Sequence, residues 1–146
     1  MRLNLLNTYT VLILADSVFA LPFCTWMLKS YFDTIPWDLE EAAMLDGCNR
    51  PRALVRVVLP LMSPGLVATG TWAFLSAWNE FMFAVTLTND VTRSPITVGI
   101  AEFFDQFTMN WNAIMAVATA ASVPLMIFFI FFQRYVVQGL AEGAVK

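Results

Sequence analysis

Twenty consecutive residues without a charge, 113–132, constrain this chain more than any other feature. At about 1.5 Å per residue, a helix of that length spans roughly 30 Å, which is the thickness of the hydrocarbon core of a bilayer. Arg134 closes the stretch, and Trp111 and Tyr135 stand where aromatic side chains anchor a span at the interface. The stretch therefore predicts a membrane-spanning helix, in which Pro124 is tolerated because neighbouring helices can satisfy the freed backbone groups.

The composition favours a membrane protein independently of that stretch. Hydrophobic residues make up 59% of the chain and charged residues only 13%, against about 25% charged in a soluble domain. An unusually apolar soluble helical domain is the alternative, and it fits this charge content poorly. The few basic residues give no support for nucleic acid as a partner. Cys24 and Cys48 fall in different predicted environments, so no disulfide is implied.

Two further apolar segments lead us to predict an all-α membrane protein with three transmembrane helices, at about residues 8–28, 64–87 and 112–134. The first of them contains Pro22 and also Asp16, an acid that is costly within a bilayer. The first half of the second is rich in small residues that suit close helix packing. These are Gly65, Ala68, Gly70 and Ala73. We expect the whole chain to form one helical unit.

The distribution of basic residues predicts the orientation of these helices, because cytoplasmic loops carry an excess of Lys and Arg. The loop after the first helix holds four such residues: Lys29, Arg50, Arg52 and Arg56. The loop 88–110 holds only Arg93. We therefore expect the first loop and the C-terminus in the cytoplasm, and the loop 88–110 and the N-terminus outside.

The polar loop 36–60, called the elbow below, carries its own helix signals. Pro36 suits the first turn of a helix, and the acids that follow it favour a helix N-terminus. Gly47 stands where a helix end requires positive φ. Asn49 can cap a second helix, which the Leu-Pro pair at the end of the elbow should terminate. Two short helices joined by a glycine turn are predicted, although an ordinary amphipathic surface helix is equally compatible with these residues alone.

The elbow contains a spaced set of residues: Glu41, Ala42, Ala43, Gly47, Leu59 and Pro60. Their spacing resembles the EAA loop of bacterial ABC importer permeases. Val57 stands where the family usually has Ile, which is a mild departure. Because the family's loop docks a cytoplasmic ATPase, the resemblance implies that these residues couple the chain to such a subunit.

Other segments resemble the C-terminal half of a carbohydrate-type ABC permease of the maltose kind. The Leu-Pro-Phe string at 21–23 is similar to part of that family's fourth transmembrane helix, and Trp-Asn-Glu-Phe at 78–81 to a string in its fifth. The tail from 139 to 146 is similar to the family's C-terminal segment. Such permeases usually have six spans, so we expect a fragment or a truncated form that begins just before the fourth.

The resemblance implies a type I importer of the bacterial inner membrane, usually for sugars. Its partners would be cytoplasmic ABC ATPase subunits, a second permease subunit, an extracytoplasmic solute-binding protein and membrane lipid. The chain has no Gly-x-x-x-x-Gly-Lys-Ser/Thr sequence for phosphate binding, so ATP and Mg would be used by the ATPase and no cofactor is expected here. The absence of His excludes His-based catalysis and His metal sites, and we expect a transport subunit rather than an enzyme.

Two places could contact the solute or a partner protein. Trp78 offers a flat face for a sugar ring, and Asn79 and Glu80 offer hydrogen bonds, since ionisable residues within spans usually face a protein interior or a water-filled path. Alternatively, Trp78 is an aromatic anchor and Glu80 is solvated at the interface. Phe103 and Phe104 share one face of a predicted helix in the external loop. That face could contact the binding protein, as the family's last external loop does, or rest on the membrane.

Two other functions fit the sequence. A secondary or proton-coupled transporter component could use Asp16 and Glu80, but it leaves the elbow unexplained. An inactive truncated permease remnant would keep the family's motifs. Neighbouring genes for a second permease and a binding protein would favour the importer over both.

Overall fold

The computed structural model describes residues 6–90, 92–103 and 110–144, with side chains as far as Arg134. The regular secondary structure of these ranges is helical, which confirms the predicted all-α class. The elements are, in order, α1 (Tyr9–Phe32), α2 (Asp38–Leu45), α3 (Arg50–Ala53), a π-helical turn (Leu54–Val58), α4 (Leu59–Leu61), α5 (Ser63–Trp78), α6 (Met82–Leu87), α7 (Ile96–Glu102) and α8 (Trp111–Ala144).

Two of the described helices are long and apolar enough to cross a bilayer. They are α1, with a mean hydropathy of 1.9, and the part Trp111–Arg134 of α8, with 2.3. Pro22 lies within α1 and Pro124 within α8, as predicted. α1 extends one turn beyond its predicted end, where the Lys29 ammonium pairs with the Asp33 carboxylate at 2.7 Å.

The second predicted span, 64–87, is not one helix. α5 stops at Trp78 after 16 residues, and α6 begins at Met82. At 1.5 Å per residue α5 reaches only about 24 Å, which is less than the hydrocarbon thickness. The helix Arg50–Leu61 precedes α5 and is bent from it by 72°, so the pair counts as a third span only if it is taken as one bent unit. Apolarity predicted the location of the segment but not its interruption.

The chain divides into two compact units, the first formed by Met1–Leu21 and Phe74–Phe131. Aromatic pairs pack its helices together. The ring centroids of Phe19 and Phe83 are 5.5 Å apart, and those of Phe74 and Phe128 are stacked at 4.3 Å. Sequence reasoning placed aromatic residues as interfacial anchors or as contacts for a solute or a partner protein, and did not anticipate these pairs.

Asn7 connects the segment before α1 to the loop 88–110 of this unit. Its N–H donates to the Leu87 carbonyl at 3.1 Å, and its side-chain oxygen accepts from the Asn89 N–H. The Arg93 guanidinium donates to the Asn7 carbonyl at 2.6 Å. Asn7 has φ of 60°, a value that Asn tolerates better than most residues. The single basic residue of the loop is therefore part of its local structure.

The second unit comprises Pro22–Ala73 and Phe132–Lys146. Its buried cluster is formed by Tyr31, Val58 and Met62, with Met27, Leu28 and Ile35 packed against it. The cluster joins the end of α1 to the end of the elbow. Met62 is 2% exposed and lies at the bend before α5, so the bend is held by burial of this side chain.

Gly65 allows the Tyr31 ring to lie directly on the α5 backbone. A Cβ added at Gly65 would stand 2.5 Å from Cγ of Tyr31, which is shorter than any real contact, whereas a Cβ at Gly70 would meet nothing within 4 Å. The predicted small-residue surface is thus used in part for packing within the chain, because Gly65 and Ala68 are buried and Gly70 is exposed.

We expect Gly65→Ala to lower the free energy of unfolding by about 1–3 kcal/mol, the range for inserting a methyl group into a packed site. Gly70→Ala is the matched control. It should leave stability unchanged or raise it by up to about 1 kcal/mol, since Ala is the better helix former. Unfolding of both variants in detergent, followed by circular dichroism, tests this difference. Equal stabilities would show that the Tyr31 contact does not constrain α5.

Candidate functional site

The first elbow helix, α2, ends in a hydrogen-bonded turn that places Gly47 in the left-handed region of φ. The Cys48 N–H donates to the Ala43 carbonyl at 3.0 Å, and the Gly47 N–H donates to the Met44 carbonyl at 3.1 Å. This is the Schellman pattern, in which the residue after the helix takes left-handed φ. Gly47 has φ of +87°, so the predicted positive φ is confirmed.

The start of α2 differs slightly from the prediction. The helix begins at Asp38 with Trp37 as its N-cap residue, so Pro36 precedes the helix instead of lying in its first turn. Three acids occupy the first turn as expected: Asp38, Glu40 and Glu41. Their carboxylates lie near the positive end of the helix dipole, which stabilises the start of a short helix.

The second elbow helix begins as predicted but does not end where predicted. The Asn49 side-chain oxygen accepts from the Arg52 N–H at 3.1 Å, which caps the helix. Leu59 and Pro60 lie within the helical path, which continues to Leu61 before the bend. The expectation that the Leu-Pro pair terminates the helix is therefore wrong.

The π-helical turn explains why Pro60 is tolerated there. Proline has no N–H, and its ring crowds the carbonyl four residues earlier, here that of Arg56. The Leu59 N–H donates to the Leu54 carbonyl, five residues back, so the helix widens just before Pro60. This wide turn relieves the crowding, and sequence reasoning missed it.

The two elbow helices pack on each other, since α2 contacts both α3 and the π-helical turn. Ala43 is 8% exposed and Ala53 is fully buried, so small side chains let the helices approach closely. Only part of the predicted Ala42–Ala43 face is therefore accessible: Ala43 is buried between the two elbow helices, while Glu41 and Ala42 are exposed.

The two most exposed of the large apolar side chains of the elbow were not singled out from the sequence. Leu45, at the end of α2, is 89% exposed, and Trp37, at its start, is 80% exposed. Trp37 also lines a groove of about 470 Å³ between the end of α1 and α3, together with Phe32, Ile35, Glu40, Arg50 and Leu54. The signal that could have found Leu45 is its position, an apolar residue two places before the glycine of the turn.

Asn79 and Glu80 satisfy the backbone on both sides of the break between α5 and α6. The Asn79 side-chain amide donates to the Leu75 carbonyl at 2.8 Å, at the end of α5. The Glu80 carboxylate accepts from the N–H groups of Phe83 and Ala84 at 2.7 and 2.9 Å, at the start of α6. Uncapped groups would be costly in or near lipid, so these side chains permit a break in an apolar segment.

The break also contacts the loop 88–110 and the aromatic packing of α5. The Thr97 hydroxyl of α7 donates to the Glu80 carbonyl at 2.6 Å. The Trp78 ring, at the end of α5, lies 5.5 Å from the Phe74 ring. The three residues predicted for the solute path, Trp78, Asn79 and Glu80, therefore lie together, and each of them also has a local structural contact.

The loop 88–110 contains the helix α7, which ends before the predicted pair Phe103 and Phe104. α7 ends at Glu102, and Phe103 follows it with 40% of its surface exposed. Phe104 lies outside the described residues. The buried residue of α7 is Val98, and Ile96, at the start of the helix, is 40% exposed.

The turn that leads into α7 holds an ionised acid. Asp90 accepts hydrogen bonds from the hydroxyl of Thr92 at 2.8 Å and from the Thr92 N–H at 3.0 Å. These bonds, and the nearby charge of Arg93, keep the pKa of Asp90 below its ordinary value. The turn is thus fixed by local hydrogen bonds before the chain enters the helix.

Two helices long and apolar enough to cross a bilayer, α1 and α8, and the helix–glycine turn–helix elbow that follows α1 define a multi-pass helical membrane protein. The chain belongs to the family of binding-protein-dependent transport system inner membrane components, whose sequence model matches residues 3–142. Family membership confirms the resemblance that the elbow and the strings at 21–23 and 78–81 carry.

The similarity to individual relatives extends along almost the whole chain. The chain is 44% identical over 144 residues to the sulfoquinovosyl glycerol transport system permease protein of Agrobacterium fabrum, covering 99% of this chain and 50% of that protein. It is 40% identical over 146 residues to the trehalose/maltose transport system permease protein of Thermococcus litoralis, covering 99% and 52%. It is also 40% identical over 148 residues to the trehalose transport system permease protein of Mycobacterium tuberculosis, covering 99% and 53%. The chain thus spans about half the length of the curated relatives it matches.

Proposed function

We propose that this chain forms part of the solute pathway of an ATP-driven, binding-protein-dependent importer in the bacterial inner membrane. The elbow is the site at which a cytoplasmic ABC ATPase docks. A second permease subunit and an extracytoplasmic solute-binding protein complete the transporter, and the ATPase supplies hydrolysis with its own ATP and Mg. The chain itself catalyses no reaction.

The observation that carries this proposal is the geometry of the elbow. A short helix with exposed Glu41, Ala42 and Leu45 is held at a fixed angle by a glycine turn and is packed on a second helix through buried Ala43. Such a rigid projection with an exposed apolar end suits docking into a cleft of another protein, since exposed apolar surface marks interaction sites. Because the elbow is rigid and continuous with a membrane span, a force on the elbow can move the span, and a force on the span can move the elbow.

Sugars are the substrate class that we propose. The relatives are named for transport of sulfoquinovosyl glycerol, trehalose or maltose, and diacetylchitobiose, all of which contain sugar rings. Trp78, Asn79 and Glu80 are the residues of this chain that we assign to the pathway, with Trp78 as a stacking surface. Phe103 and Phe104 are assigned to contact with the binding protein.

Copurification tests the central claim. The complete transporter, expressed with its ATPase and binding protein, should retain the ATPase on affinity purification of this chain and show sugar-stimulated ATP hydrolysis. Substitution of Leu45 by Asp should reduce ATPase retention strongly, because it places a charge on the exposed apolar end of α2. The matched control is the substitution by Asp of Leu6, an exposed leucine that lies outside the elbow. If both variants retain the ATPase, docking at α2 is contradicted.

A proton-coupled transporter is the competing function, and one observation bears on it. Asp16 lies close enough to Glu80 for their charges to interact. The Glu80 carboxylate, however, accepts two backbone hydrogen bonds, which accounts for its presence without proton transfer. Sugar uptake that persists when a protonophore collapses the proton gradient, while ATP is maintained, would favour the importer.

The orientation of the elbow provides a separate prediction. Cys48 is a free, half-buried thiol in the turn after α2, and Cys24 lies within α1. With Cys24 replaced by Ser, we expect a membrane-impermeant maleimide to label Cys48 only after cells are permeabilised, because the basic residues of the elbow favour the cytoplasmic side. Labelling in intact cells would reverse the proposed topology.

A further inference from the structure

The second elbow helix, Arg50–Leu61, exposes a face that its own contacts do not use. Arg52, Val55 and Arg56 are exposed, and Arg52 precedes the other two by about one helical turn, whereas Ala53 and Val58 are buried. Val55 is 60% exposed, so this face combines an aliphatic side chain with two guanidinium groups. Within the described part of the chain, no ion pair joins Arg52 or Arg56 to a carboxylate.

The direction of this helix is consistent with a position along the membrane surface. It is bent by 72° from α5, the apolar helix that follows it. If α5 runs across the bilayer with an ordinary tilt, the preceding helix lies nearly parallel to the membrane plane. The bend at Met62 also keeps it close to the level at which the apolar segment begins, where phosphate headgroups are found.

The charges of the elbow are segregated between its two helices. α2 and the turn after it carry only acids, Asp38, Glu40, Glu41 and Asp46, while the second helix up to Leu61 carries only bases, Arg50, Arg52 and Arg56. One protein partner that covered both helices would have to match opposite charges side by side. Separate partners for the two helices remove that requirement. The second helix is basic and interfacial, so an anionic partner suits it.

We propose that the face formed by Arg52, Val55 and Arg56 binds the headgroups of anionic phospholipids. The guanidinium groups contact the phosphates with paired hydrogen bonds, and Val55 lies at the boundary with the acyl chains. This contact fixes the elbow against the bilayer on the side away from α2. It depends on neither the transported solute nor the ATPase.

Native mass spectrometry of the full chain in detergent tests the proposal. The chain is mixed with equal amounts of phosphatidylglycerol and phosphatidylcholine, and the bound lipids are counted. The wild type should retain phosphatidylglycerol preferentially. Each arginine near an anionic surface is worth on the order of a fivefold preference, so the Arg52→Gln/Arg56→Gln double variant should lose most of it. Arg52→Lys/Arg56→Lys should restore it at least in part.

Arg93→Gln is a control that removes one positive charge from the external loop, where the new amide can still donate to the Asn7 carbonyl. It should retain phosphatidylglycerol as the wild type does. The proposal is overturned if the wild type shows no preference, or if the double glutamine variant keeps it. Unchanged lipid retention together with loss of ATPase copurification would assign these arginines to the ATPase instead, which also overturns it.

Discussion

Gly47→Val should leave the amount of transporter in the membrane unchanged while reducing ATPase copurification and sugar-stimulated ATP hydrolysis about tenfold. Gly47 has φ of +87°, and a β-branched residue in that region is strongly disfavoured. The local strain is on the order of 1–2 kcal/mol, and 1.4 kcal/mol corresponds to a factor of ten. The turn would relax by losing the hydrogen bonds from Gly47 and Cys48 to the end of α2. The exposed end of α2, with Leu45, would then be misplaced.

Gly47→Asn separates backbone strain from bulk. No atom lies within 4 Å of a Cβ added at this position, so a larger side chain meets no obstacle within the chain. Asn tolerates left-handed φ far better than Val. We expect Gly47→Asn to retain ATPase binding within about twofold to threefold of the wild type. Wild-type values for Gly47→Val in membrane level, copurification and hydrolysis would remove the elbow from the coupling mechanism.

Glu80→Ala should slow sugar uptake by about fivefold or more while leaving ATPase copurification intact. The variant removes the acceptor for the N–H groups of Phe83 and Ala84, and loss of such a cap typically costs about 1 kcal/mol. The break between α5 and α6 would then be poorly defined beside Trp78. The elbow is unaffected because no described hydrogen bond joins Glu80 to it. Uptake kinetics in vesicles containing the complete transporter give the measurement.

Glu80→Gln distinguishes a cap from a solute ligand. The Gln side chain carries no charge and keeps one of the two oxygens that accept from the N–H groups of Phe83 and Ala84. If Glu80 positions the break, Gln should therefore restore part of the uptake rate that Ala loses. If its charge contacts the sugar, Gln should be as impaired as Ala, with a raised KM. Unchanged rate and KM in Glu80→Ala would exclude Glu80 from the pathway.

The features predicted correctly from the sequence are those encoded within a few neighbouring residues. The length of the uncharged stretch at 113–132 predicted a span because hydrocarbon thickness sets a minimum length. Gly47 and Asn49 predicted the turn of the elbow because positive φ and N-capping are local backbone requirements. The end of the second helix was wrong because the π-helical turn lets the chain continue through Pro60.

By itself, the sequence determined the all-helical membrane class, the location of the apolar helices and the glycine turn of the elbow. The tertiary structure alone decided which surfaces remain available. Ala43 is not accessible to a partner protein because α2 packs on the second elbow helix. Gly65 is covered by the Tyr31 ring. Thr97 holds the Glu80 carbonyl from 17 residues away. The physical reason is that period and composition report which residues avoid water, whereas the partner that each one meets depends on contacts between segments distant in the chain.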